Sequence, residues 1–71
     1  MAEVKNREFG ILKCYLPMKG YGFIRRNVGR DVFFLRTDAP TEAALIEGAT
    51  VSFTVQTDKR GPRARDIKRE G

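Results

Sequence analysis

The chain has no histidine and no tryptophan, and only one cysteine among its 71 residues. A single thiol, Cys14, cannot close an intramolecular disulfide, which excludes the scaffold of a small secreted disulfide-rich domain. With no histidine and only one thiol to ligate zinc, a zinc site is equally unexpected. We expect neither a metal nor a cofactor. We interpret Cys14 as a small filler and not as a redox switch. Without a histidine base or a carboxylate cluster, the sequence predicts a protein that is not an enzyme.

Long apolar runs are also absent. None approaches the roughly 20 residues of a membrane-spanning helix, and the N-terminal stretch MAEVKNREF lacks the apolar core of a signal peptide. We therefore expect a soluble, cytoplasmic protein with no membrane partner and no small-molecule substrate. The length fits one small domain with a thin core.

Charge is what the chain has in excess. Fourteen Lys and Arg against nine Asp and Glu give a net charge of +5. This excess is typical of a domain with a polyanionic partner. A solvated basic surface without a partner would give the same count, so charge alone leaves both interpretations open.

Five short segments have the composition and punctuation of β-strands and predict a small closed barrel or sandwich. They are Phe9–Leu16, Tyr21–Ile24, Val32–Leu35, Thr50–Gln56 and a weaker segment at 62–68 with Ile67 as its core residue. A loop with one short helical turn is predicted between the third and fourth strands. The domain is expected to span 9–68, with a flexible lead-in at 1–8 and a short tail at 69–71.

The fourth predicted strand alternates strictly between apolar and polar residues. We expect its apolar residues to face inward and its polar residues to face solvent. The inward set is Val51, Phe53 and Val55, and the outward set is Ser52, Thr54 and Gln56.

The second and third strands are predicted to form a hairpin around the loop RRNVGRD. A loop centred on this stretch places Phe23 opposite Phe33 and Tyr21 opposite Leu35, all on one face. The opposite face is also apolar, and one small core cannot cover both faces. We expect the face with Phe23 to be exposed. The buried face would carry Ile24, Val32 and Phe34.

The order of these motifs resembles that of a cold-shock domain, a five-stranded antiparallel OB-fold barrel that binds single-stranded nucleic acid. KGYGFI at Lys19–Ile24 is similar to the family's first ribonucleoprotein motif, and DVFFL at Asp31–Leu35 to its second. RGPRA at 60–64 follows in the family's order, and the similarity covers about 9–68. The resemblance implies this fold, with the one helical turn between strands three and four.

Three positions depart from the family pattern. Cys14 stands where the family carries an exposed tryptophan, Leu35 replaces a histidine, and Arg36 replaces the aromatic after it. The resemblance therefore implies a reduced stacking surface made of Tyr15, Tyr21, Phe23 and Phe33.

The implied function is binding of single-stranded RNA or DNA with little sequence preference, as an RNA chaperone or a cold-shock-type regulator of gene expression. Bases would stack on the aromatics, and cations would hold the phosphates. Gly20 and Gly22 are expected to let the strand approach its ligand. The predicted binding residues are Lys13, Tyr15, Lys19, Tyr21, Phe23, Arg25, Arg26, Arg30, Phe33, Leu35, Arg36, Arg60 and Arg63.

An alternative function remains open at this stage. The same apolar face would serve equally as the contact surface of a protein-interaction barrel with weak or no nucleic-acid binding. We expect a monomer, and the sequence leaves a strand-swapped dimer open.

Overall fold

Five β-strands make up most of residues 7–71, the part of the chain that this computed structural model describes. The strands are β1 (Arg7–Leu16), β2 (Tyr21–Arg26), β3 (Val32–Leu35), β4 (Thr50–Asp58) and β5 (Gly61–Arg69). Two 3₁₀ turns, Arg36–Asp38 and Glu42–Ala44, connect β3 to β4, where the sequence predicts one helical turn. Within the described range, no helix is long and apolar enough to span a membrane.

The strands close into a barrel in the order β1-β2-β3-β5-β4, which confirms the predicted architecture. Neighbouring strands are antiparallel except for β3 and β5, which pair in parallel. β1 pairs with both β2 and β4, and the pairing with β4 closes the barrel.

The strand boundaries differ from the predicted ones mainly at the N-terminus. Arg7 and Glu8, predicted to belong to the lead-in, lie in β1 and pair with Thr54 and Phe53 of β4. The remaining lead-in, 1–6, lies outside the described residues. Proline ends β1 as predicted, since Pro17 follows its last residue and cannot donate to a sheet ladder.

The hydrophobic core lies inside the barrel, and every strand contributes buried side chains to it. The predicted inner face of the hairpin is confirmed, and Ile67 of β5 is fully buried. The fully or almost fully buried apolar residues are Leu12, Ile24, Val32, Phe34, Val51, Phe53, Ala64 and Ile67.

Ser52 departs from the predicted alternation of β4 because it is fully buried. It pairs with exposed Phe9 and so points outward, but two side chains cover it. Nη2 of Arg7 donates to the Ser52 hydroxyl at 2.9 Å, and that hydroxyl donates to Glu70 at 2.6 Å. The polar outward position is therefore closed by a hydrogen-bonded network that fastens the ends of β1 and β5 to β4.

Candidate nucleic-acid interface

The β2–β3 hairpin has the register that the sequence predicts. Phe23 pairs with Phe33, and Tyr21 pairs with Leu35. Because paired residues point to the same side of a sheet, these four side chains share the outer face of the barrel. Their inward neighbours supply the core beneath them.

Tyr21, Phe23 and Phe33 form one aromatic cluster on this outer face, which we call the platform. The ring centroids lie 5.8 Å apart for Tyr21 and Phe33, 5.9 Å for Phe23 and Phe33, and 6.2 Å for Tyr21 and Phe23. Phe23 is 36% exposed, and the other two rings are half-buried. Mutual contact holds the rings in place and leaves part of each one open to solvent.

A β-bulge in β1 decides which of its side chains reach the platform. The register with β2 shifts between Leu12 and Cys14, so one extra residue, Lys13, interrupts the alternation. Leu12 faces the core, and Cys14, which pairs with Phe23, lies on the outer face. Leu16 follows on the same face, opposite Tyr21.

The same bulge turns Tyr15 inward, away from the platform. Its ring stacks on core residue Phe34 with centroids 6.1 Å apart, and its hydroxyl donates to Glu42 at 2.5 Å. Partial burial and the Glu42 carboxylate raise the pKa of Tyr15, whereas Arg36 acts in the opposite direction. The structure therefore does not bring Tyr15 together with the other predicted stacking residues.

Gly22 also faces the core, so the predicted role in ligand approach does not hold for it. A Cβ atom here would collide with the backbone oxygen of Cys14 and lie 2.7 Å from the Phe34 ring. The glycine is required because β1 and Phe34 pack directly against the β2 backbone. Gly20 is different: it lies in the turn before β2 with φ +76 and open space around it.

Two of the predicted phosphate-binding cations are held by carboxylates of the barrel. Arg26 donates from both Nε and Nη2 to the carboxylate of Glu8, each at 2.8 Å. Lys13 donates to Asp31 at 2.9 Å. Arg26 is partly buried in this bidentate pair, which ties β2 to β1 and leaves it little freedom to reach a phosphate.

Arg63 is fixed more firmly, by the buried carboxylate of Asp38. Its Nε and Nη2 both donate to Asp38 at 2.9 Å, and Arg65 approaches the same carboxylate at 2.8 Å. The Leu35 backbone N–H donates to Asp38 as well. These bonds raise the pKa of Arg63 and join β5 to the turn after β3, so the primary role of this arginine is structural.

The other five predicted cations have no carboxylate within salt-bridge distance among residues 7–71. All five are exposed. Arg25 lies two residues from Phe23, Arg36 follows Leu35, and Arg30 lies in the loop between β2 and β3. Arg60 is the nearest, with its guanidinium carbon 5.6 Å from the centre of the Phe33 ring. The five are Lys19, Arg25, Arg30, Arg36 and Arg60.

Several outer-face residues were not predicted as part of the site. Ile11 and Leu16 of β1 are exposed, and Cys14 between them is half-buried beside Phe23. Alternation along β1 would identify these outward residues in a regular strand. The bulge at Lys13 shifts the alternation by one residue, so the pattern in the sequence does not reveal them. Leu35, which was predicted, lies half-buried at the edge of the platform opposite Tyr21.

A closed five-stranded barrel with aromatics and unpaired cations on one face is the arrangement of OB-fold domains that bind single strands. Comparison with known proteins agrees with this class. The family model described as the 'Cold-shock' DNA-binding domain matches residues 8–70. The chain therefore belongs to the cold-shock domain family, whose members bind nucleic acid.

Individual relatives show the same family. The chain is 39% identical to a cold shock-like protein of Thermotoga maritima over 61 residues, which cover 83% of this chain and 92% of that protein. It is 38% identical to cold shock protein CspC of Bacillus subtilis over 64 residues, covering 87% and 97%. A solved structure, drosophila Unr CSD456, superposes with a TM-score of 0.79 at 26% identity, and the match covers 94% of this chain and 28% of that one.

Proposed function

We propose that this domain binds single-stranded RNA or DNA with little sequence preference and acts as an RNA chaperone. The observation that carries the proposal is the platform itself: three partly exposed aromatic rings in mutual contact, bordered by five cations that no described carboxylate neutralises. A core does not need these rings, because Ile24, Val32 and Phe34 already fill it from the same two strands.

Stacking explains both the affinity and the low selectivity. Every base has a π-face, so a base stacks on an aromatic ring without being read by hydrogen bonds, at about 1–3 kcal/mol per base. Phosphates between the bases would contact the cations around the platform, which adds affinity that is independent of sequence.

The same magnitudes set the limits of chaperone activity. Stacking within a duplex contributes about 1.4 kcal/mol per base-pair step, which is comparable with stacking on the platform. The domain would therefore capture bases that are transiently unpaired and shift weak hairpins toward the open strand. Long duplexes would resist it. Differential affinity for the open strand is sufficient for this shift, and no nucleotide hydrolysis is required.

The replacements on β1 and β3 predict a weaker stacking surface than the family pattern implies. Cys14 and Leu35 border the platform where the family carries tryptophan and histidine, and neither offers a π-face. We expect fewer stacked bases on this part of the face, with apolar contacts in their place.

Intrinsic tyrosine fluorescence tests the proposal. The chain has two tyrosines and no tryptophan, and Tyr15→Phe leaves Tyr21 as the single reporter on the platform. Titration of this variant with an oligothymidylate should quench Tyr21 emission as bases stack beside it. An unchanged signal, at concentrations where binding is detected by an independent method, would exclude stacking at the platform.

A protein-interaction module is the second candidate function, and the apolar border of the platform is what favours it. Leu16 is 41% exposed and pairs with Tyr21, which pairs in turn with Leu35. Ile11, further along β1, is 40% exposed. A domain of this kind would leave Tyr21 emission unchanged on adding oligonucleotide and would bind no single strand at moderate salt.

A further inference from the structure

Phe9 is the most exposed aromatic residue of the described chain and lies outside the platform. Its side chain is 50% exposed on the outer face of β1. The core does not require this ring, because the buried residues of β1 are Gly10 and Leu12. Ile11, two residues further along the same face, is also exposed, so the two side chains form a contiguous apolar patch. Such patches mark interaction sites, whereas a single exposed residue would not.

The strand register connects Phe9 to the platform through two two-residue steps and one cross-strand pair. Ile11 lies two residues after Phe9 in β1. It is exposed and pairs with Arg25 of β2. Arg25 in turn lies two residues from Phe23 on the same face. Each two-residue step spans about 6.6 Å, so Phe9 lies roughly 13 Å along the strand direction from the level of Phe23.

We propose that Phe9 forms an additional base-stacking subsite, reached by a single strand that leaves the platform past Arg25 and Ile11. The inference rests on the proposed function, because the subsite takes the same ligand. OB folds hold about 4–16 nucleotides. This number is larger than the number of bases that three clustered rings can stack. A strand of the longer sizes would need contacts beside the platform, and the exposed residues from Arg25 to Phe9 offer them.

The charges along this path suit a polynucleotide. Arg25 has no carboxylate partner among residues 7–71 and stands between the platform and Ile11. Glu8, next to Phe9 in the chain, is neutralised by its bidentate pair with Arg26. A phosphate that follows this path therefore meets a free cation and no free carboxylate of β1.

The path ends at Phe9. On the far side of β1, the network around Ser52 contains the carboxylates of Asp66 and Glu70. Asp66 is bonded to Arg7, and Glu70 accepts the Ser52 hydroxyl. No other aromatic ring as exposed as Phe9 lies beyond it among residues 7–71, so the gain in affinity from stacking should stop once an oligonucleotide is long enough to reach it.

A length series tests the subsite. Binding of wild type, Phe9→Ala and Phe33→Ala is measured against oligothymidylates of about four and about twelve nucleotides, which fall within the range of OB-fold site sizes. We expect Phe9→Ala to weaken binding of the long oligonucleotide about 5- to 150-fold, the equivalent of one lost stack. It should leave binding of the short one unchanged. Phe33→Ala should weaken both.

The matched control is Ile46→Ala, which removes an apolar side chain of similar exposure, 47% against 50%, in the connection between β3 and β4. It should change neither affinity. If Phe9→Ala binds both oligonucleotides like wild type while Phe33→Ala weakens both, the subsite is wrong and the platform stands. If Phe33→Ala weakens neither, the proposed function itself fails.

A second copy of the chain is the competing occupant of this face. Sedimentation at several protein concentrations distinguishes it, because Phe9→Ala would then dissociate an oligomer in the absence of any oligonucleotide. That result, with unchanged binding of the long oligonucleotide, overturns the inference. Photocrosslinking of a long oligonucleotide containing 5-iodouracil to Phe9 would support it directly.

Discussion

Phe23 and Phe33 are direct partners across β2 and β3, and their rings meet edge to face with centroids 5.9 Å apart and planes at 65°. Such pairs contribute about 0.5–1.5 kcal/mol beyond the area they bury. Each ring therefore holds the other in a position that a base can use, and the two should act on binding as a coupled unit.

Phe23→Ala should weaken single-strand binding by about 1–3 kcal/mol, the contribution of one stacked base. The fold should survive, because the ring lies on the outer face and the core beneath it is complete without it. Fluorescence titration gives the affinity, and thermal unfolding followed by circular dichroism gives the stability.

Phe53→Ala is the control for this substitution. Its ring is fully buried in β4, and truncating a core aromatic costs about 3–5 kcal/mol, which a domain this small does not tolerate. Phe23→Ala unfolding to the same extent as Phe53→Ala would contradict the assignment of Phe23 to an exposed platform.

Arg30→Ala and Arg26→Ala should separate binding from stability, although both lie at the same hairpin loop. Arg30 is exposed, so its removal should flatten the dependence of log affinity on log salt by somewhat less than about 0.7, the value for one phosphate. Arg26 is bonded to Glu8, so its removal should lower stability by about 1 kcal/mol and leave the salt slope unchanged.

The wild-type slope should be about −3. Five of the predicted cations have no carboxylate partner among residues 7–71, and we expect four or five of them to neutralise one phosphate each. Titrations at four or more salt concentrations measure the wild-type slope and the change of slope in each variant. A larger loss of slope in Arg26→Ala than in Arg30→Ala would show that the intramolecular pair opens on binding.

Asp38→Asn should lower the stability of the fold and steepen the salt dependence of binding. The buried carboxylate holds Arg63 and Arg65, and weakening these charged hydrogen bonds should cost about 1–3 kcal/mol. Arg63, which pairs with Phe33 in register, would then become available to a phosphate, and the salt slope should steepen.

Asp58→Asn is the matched control, since Asp58 lies 3.9 Å from Arg63 and is more exposed than Asp38. It should change stability by less than about 1 kcal/mol. A destabilised Asp38→Asn variant with a flatter salt slope would contradict the assignment of Arg63 to a structural role.

Gly22→Ala should destabilise the fold by about 3 kcal/mol or more, because the added methyl meets backbone on one side and the Phe34 ring on the other. Gly20→Ala should cost only about 1–2 kcal/mol, for a non-glycine residue at positive φ in open space. Urea unfolding compares the two. A Gly22→Ala variant that folds like wild type and loses binding would restore the role in ligand approach.

Local pattern was sufficient to predict the hairpin and its exposed rings. The register of Phe23 with Phe33 follows from two short apolar runs around one loop, and alternation then assigns every side chain to a face. Strand spacing alone left a barrel and a sandwich open, and the resemblance to the cold-shock family selected the barrel that the structure shows. The core position of Ile67 was predicted from the last segment itself.

Ion pairs between distant residues, and a change in which side chains of a strand face outward, could not be predicted by the same reasoning. Arg26 meets Glu8 across 18 residues and Arg63 meets Asp38 across 25, and only barrel closure brings these charges together. Tyr15 was assigned to the platform, but the bulge in β1 reverses the alternation after Leu12 and turns its ring toward Phe34. A single extra residue in a strand leaves no mark that composition reveals.

The most direct test of the account is the affinity of wild type and Phe33→Ala for a single strand and for a duplex of equal length and composition. We expect the wild type to bind the single strand much more tightly, because duplex bases stack on one another and cannot reach the platform. Phe33→Ala should lose about 1–3 kcal/mol of single-strand affinity and keep its salt slope. Equal wild-type affinity for both ligands, a steep salt slope and no effect of Phe33→Ala would show a merely basic surface and contradict the platform.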